Sequence, residues 1–91
     1  LALVHHLSIS GNVPIVEFVD WLRQLSAALV LEFPTRDDPM VRRMLARKRP
    51  GDHPDYRREW FERCLGERFD IVGSEVLSSN TRVLYHARPK A

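Results

Sequence analysis

Residues 1–34, LALVHHLSISGNVPIVEFVDWLRQLSAALVLEFP, decide how the fold is read. Leu1, Ala2, Leu3 and Val4 are continuously apolar, the pattern of a strand covered on both faces in a parallel sheet. His5, His6, Leu7 and Ser8 read as its exit loop, and Ser10-Gly11-Asn12 is turn chemistry. Pro14 suits the first turn of a helix, where its missing N–H has no partner to lose. Ile15, Phe18, Val19, Leu22 and Leu25 then recur at helical spacing opposite Glu17, Asp20 and Gln24, which predicts a helix over 14–26. Residues 28–33 form a second apolar strand, interrupted by Glu32 and stopped by Pro34. Strand, helix and strand joined by short connections predict two parallel strands with a right-handed crossover.

Outward from that unit, Thr35-Arg36-Asp37-Asp38 before Pro39 gives a capped helix start. Met40, Val41, Met44 and Leu45 supply one apolar stripe over 39–47. Residues 48–54 hold two prolines and a glycine and read as loop. Asp55 is expected to cap a helix that carries Tyr56, Trp60, Phe61, Cys64 and Leu65 on one face and stops at Gly66. Residues 69–77 and 81–88 read as strands, with Val83, Tyr85 and Ala87 alternating against Leu84, His86 and Arg88. Ser78-Ser79-Asn80 between them predicts an antiparallel hairpin. The expected order is β-α-β-α-α-β-β, a mostly parallel α/β sheet that ends in one antiparallel hairpin.

The 91 residues allow one small domain. With 44% hydrophobic and 29% charged residues, composition fits an ordinary soluble chain. No apolar run approaches the ~20 residues that span a bilayer, and no signal peptide is legible. Cys64 is the single cysteine, so no internal disulfide can form and a reducing compartment, the cytoplasm, is expected. A net charge of +2 does not by itself call for a nucleic-acid partner. The chain begins with Leu inside an apolar run, which reads as a fragment of a larger protein.

Val4-His5-His6-Leu7, Gly11-Asn12-Val13-Pro14, Glu32-Phe33-Pro34 and Asp38-Pro39-Met40-Val41, in this order of elements, make the chain resemble the C-terminal half of a class I S-adenosylmethionine-dependent methyltransferase. The likeness is to bacterial small-molecule methyltransferases, nodulation-associated ones among them. It implies that residues 1–8 match the fourth strand and its exit loop, 28–34 the fifth strand, and 69–88 the sixth strand and a reversed seventh. It also implies S-adenosylmethionine as cofactor of the parent enzyme and a small-molecule acceptor. The family's glycine-rich cofactor loop has no counterpart here, because Gly11, Gly51, Gly66 and Gly73 stand apart. The cofactor-binding half would precede residue 1, and the piece alone is expected to be inactive.

Ligands of open α/β sheets gather beyond the carboxyl ends of strands, where His5 and His6 are expected. Either histidine is a candidate to take a proton from an acceptor hydroxyl or amine, its ordinary pKa near ~6.5 suiting that work. The plainer reading has one histidine cap strand carbonyls while the other is solvated. Ser8, Glu32 and Phe33 are candidates to line the substrate or cofactor cleft. Glu32 reads equally as the structural partner of an arginine, since a charge ending a buried strand needs one. No metal-ligand spacing is present. Arg42, Arg43, Arg47, Lys48, Arg49, Arg57, Arg58 and Arg63 form a basic window. It reads as a solvated face, with binding of nucleic acid or an acidic partner as the alternative function of a noncatalytic module. Trp21, Trp60 and Cys64 read as packing. Removal of a preceding half would bare one edge of the strand at Leu1 to Val4, so self-association through that edge is expected.

Overall fold

The computed structural model describes residues 4–25 and 27–90. Val4 and His5 are helical and lead into a π-turn, His6–Ser10, followed by α1 (Ile15–Gln24) and β1 (Leu29–Pro34). Then come α2 (Pro39–Ala46), α3 (Arg58–Arg68), β2 (Phe69–Val76) and β3 (Arg82–Pro89). Among the described residues no helix is long and apolar enough to cross a membrane.

The three strands form one antiparallel sheet in the order β1-β3-β2. Both outer strands run against β3, with Leu31 facing Tyr85 on one side and Ser74 facing Tyr85 on the other. The expected hairpin of the last two strands is present. The expected parallel neighbour of β1 is not found among the described residues. Short connections fix the direction of successive strands but not their adjacency, and β3 inserts between β1 and β2. Its alternation explains the central place: Val83, Tyr85 and Ala87 are buried against the helices, whereas β2 is exposed beyond Phe69. Residues 1–3, most of the strand expected at the start and of its bare edge, lie outside the described residues. Val4 is helical, so that strand does not reach it.

The exit loop expected over His5 to Ser8 is helical instead. Val4 and Ile9 are both fully buried, and coiling the segment puts both into the core. The wide π-turn closes with the Gly11 N–H donating to the His6 carbonyl at 3.0 Å. Gly11 is required there, since a Cβ would sit 2.7 Å from the Leu7 carbonyl oxygen.

Two helix ends also differ from expectation. Asp55 does not head α3, which starts three residues later at Arg58. Its carboxylate instead accepts the Ile15 N–H at 3.0 Å, capping α1 across 40 residues of chain. Gly66 does not stop α3, because the helix continues to Arg68 and passes straight into β2, Phe69 turning extended and burying its ring. The core joins both sides of the chain through an aromatic series. Phe33 stacks on Tyr56 and Phe61 with ring centroids 4.9 and 4.6 Å away, and Phe61 meets Tyr85 at 5.5 Å. Cys64 is buried as expected, whereas Trp21, expected to pack, is 44% exposed on α1.

Candidate functional site

Pro34 ends β1, and the next residues turn to place Asp38 at the N-terminus of α2. Its side chain accepts the Met40 N–H at 3.0 Å, the cap that the Asp-Pro pair predicts. The same carboxylate receives the Thr81 hydroxyl at 2.9 Å and the Arg82 Nε at 2.8 Å. Arg82, first residue of β3, turns its other branch to Glu32 at 2.7 Å. One guanidinium thus bridges two carboxylates from β1 and from the start of α2. Arg82 holds the Asp38 carboxyl down at about 2, and the two acids push the guanidinium further toward its charged form. The Thr35 N–H and hydroxyl both donate to the Thr81 carbonyl, at 2.7 and 3.1 Å, closing the loop after β1 onto the start of β3.

His5 lies against this network from the helical segment. Burial is the main cause that lowers its pKa to about 4, with the positive fields of His6 and Arg82 adding and those of Asp38 and Glu32 opposing. At neutral pH it is therefore an uncharged imidazole. Its Nδ1 and the Ser8 Oγ are buried polar atoms with no hydrogen-bond partner. Three residues apart on one helical stretch, the two share a face. Buried polar groups are nearly always satisfied, which makes this pair an exception in the core.

The candidates separate as follows. His5 and Ser8 point inward; His6 is exposed, its ring 4.1 Å from that of His5. Glu32 has the arginine partner that its position demanded, and Phe33 is fully buried within the aromatic series. Nothing in the pattern around Thr81 and Arg82 marked them as the hub. The signal available was the unsatisfied charge of Glu32, which asks for a cation without saying which of fourteen supplies it. Several arginines of the basic window are matched on their own surface, Arg58 to Glu62 at 2.8 Å and Arg63 to Glu67 at 3.8 Å. That pattern favours the solvated face over a nucleic-acid groove. No group of three or more potential metal ligands occurs among the described residues.

The chain is 38% identical over 85 residues to Nodulation protein NoeA of Rhizobium meliloti (strain 1021). The aligned part is 93% of this chain but spans only 18% of that protein's length. No protein-family profile and no solved structure matches.

Proposed function

We propose that these residues are part of a cytoplasmic S-adenosylmethionine-dependent methyltransferase of class I that acts on a small-molecule acceptor. The observation that carries this reading is the direction of the strands. β1 and β2 run the same way and the last strand runs against both, the reversed final strand of the fold that the sequence resembles. The name of the relative carries the same nodulation association as that resemblance and says nothing of methyl transfer.

The described residues do not fit the cofactor by themselves. Three of the four glycines have open space where a Cβ would stand, and Gly11 backs onto its own turn, so no cradle is built here. The role of this chain in the reading is the acceptor side. There the neutral His5 imidazole and the Ser8 hydroxyl, both buried, act from beneath the surface and position the backbone that meets the acceptor rather than the acceptor itself. A pKa of about 4 leaves His5 uncharged at neutral pH, which suits a buried positioning group and not a general base.

Calorimetry with S-adenosylmethionine tests the reading. The longest polypeptide read from the gene should bind at micromolar affinity, roughly −8 kcal/mol, and residues 1–91 far more weakly. Absence of binding by the longer polypeptide overturns it.

A further inference from the structure

A cleft of about 450 Å³ opens beyond the carboxyl ends of β1 and β2. Thr35, Arg36 and Asp37 line it from the loop after β1, Arg57, Arg58 and Glu59 from the start of α3, and Asn80 from the hairpin turn. Three arginines therefore line one concavity at the edge of the sheet where open α/β folds take their ligands.

Arg36 is held there ready-made. Its Nη1 donates to the carbonyls of His53 at 3.0 Å and Tyr56 at 2.9 Å, so its position is fixed by neutral groups that leave its charge uncompensated. Arg58 is committed to Glu62 through its Nε at 2.8 Å and also interacts with Tyr85, so Arg36 and Arg57 are the arginines left to a ligand. Arg57 has no ion pair or hydrogen bond from its guanidinium among the described residues. Of the two carboxylates in the cleft, Asp37 leans out toward Arg42 at 3.7 Å, which leaves Glu59 as the internal competitor. Arg57 also heads α3 without any side-chain cap, so backbone N–H groups of the first turn face the same side. The cleft joins the Asp38–Arg82 network through Thr35, whose hydroxyl and N–H hold the Thr81 carbonyl.

We propose that this cleft binds an oxyanion carried by the small-molecule acceptor, a phosphate or a carboxylate. Guanidinium forks match both geometries, and one pre-fixed arginine lowers the ordering cost of the site. The assignment of the ligand as the methyl acceptor rests on the methyltransferase reading; the anion chemistry does not.

The test is an NMR titration of the 91-residue chain with inorganic phosphate and, separately, with acetate, each against chloride at matched ionic strength. Saturable shifts are expected at the amides of Thr35, Arg36 and residues 58–60. Arg57→Ala should weaken binding at least fivefold and Arg57→Lys less, while Glu59→Gln should tighten it severalfold. Saturation by phosphate alone assigns a phosphate, and saturation by acetate as well assigns a carboxylate. Shifts no larger than those with chloride, or an affinity indifferent to both Arg57→Ala and Glu59→Gln, overturn the proposal. Both substitutions lie on the surface, and unchanged circular dichroism verifies that they fold. Anion binding together with no binding of S-adenosylmethionine by the longer polypeptide would remove the enzyme reading and leave this site standing. The reverse result would remove the site alone.

Discussion

At the scale of single residues, acid should lower the protein's stability in two separable pH windows. The folded pKa of His5, about 4, lies below the ordinary 6.5, so the unfolded chain takes up the proton first as pH falls. The stability tied to its neutral form is complete above 6.5 and is lost between 6.5 and 4, by at most roughly 3 kcal/mol. Asp38, held at about 2 against an ordinary 3.8, contributes stability that is present above 3.8 and lost as pH falls toward 2. Urea midpoints at pH 7, 5 and 3 read both windows, and His5→Asn should flatten the first without touching the second. Asp38→Ala removes a helix cap and one of the two carboxylates that Arg82 bridges, leaving it Glu32 alone, with an expected loss of about 1–3 kcal/mol at pH 7. Tyr56→Phe leaves the buried Pro34 carbonyl without its 2.6 Å donor and should cost about 1–2 kcal/mol in the same assay.

At the scale of elements, two glycines should respond to Ala with opposite signs. Gly11→Ala forces a methyl against the Leu7 carbonyl inside the π-turn and should lower stability by about 1–3 kcal/mol. Gly66→Ala fills open space in mid-helix and should raise it by about 0.5–1 kcal/mol. Thermal melts of the two variants check the pair. The helix-spaced apolar residues made α1 and α2 legible: Ile15, Phe18, Val19 and Leu22 are buried on α1, and Asp38 caps α2. The alternation of Val83, Tyr85 and Ala87 did the same for β3. What could not be read was whatever depends on contacts distant in sequence. Asp55 has the look of a local cap, but the donor it serves is 40 residues away. Gly66 has the look of a stop, but nothing there demands a left-handed backbone, so α3 runs on until Phe69 finds the core. Arg82 sits in a strand pattern that says nothing of the two carboxylates it bridges.

At the scale of the whole molecule, Phe61 is the junction, since its ring touches Phe33 of β1 and Tyr85 of β3 from α3. Phe61→Ala should cost about 3–5 kcal/mol, measured by chemical denaturation, and should loosen all three elements together in hydrogen exchange. The central position of β3 carries a further consequence. Every ladder bond of this sheet has one end on residues 82–89. On a translating ribosome, β1 and β2 emerge before the strand that pairs with both, and these two ladders stay unbuilt until β3 has cleared the exit tunnel. Nascent chains arrested before that point should therefore be open to protease at β1 and β2, while chains extended far enough to release β3 should resist.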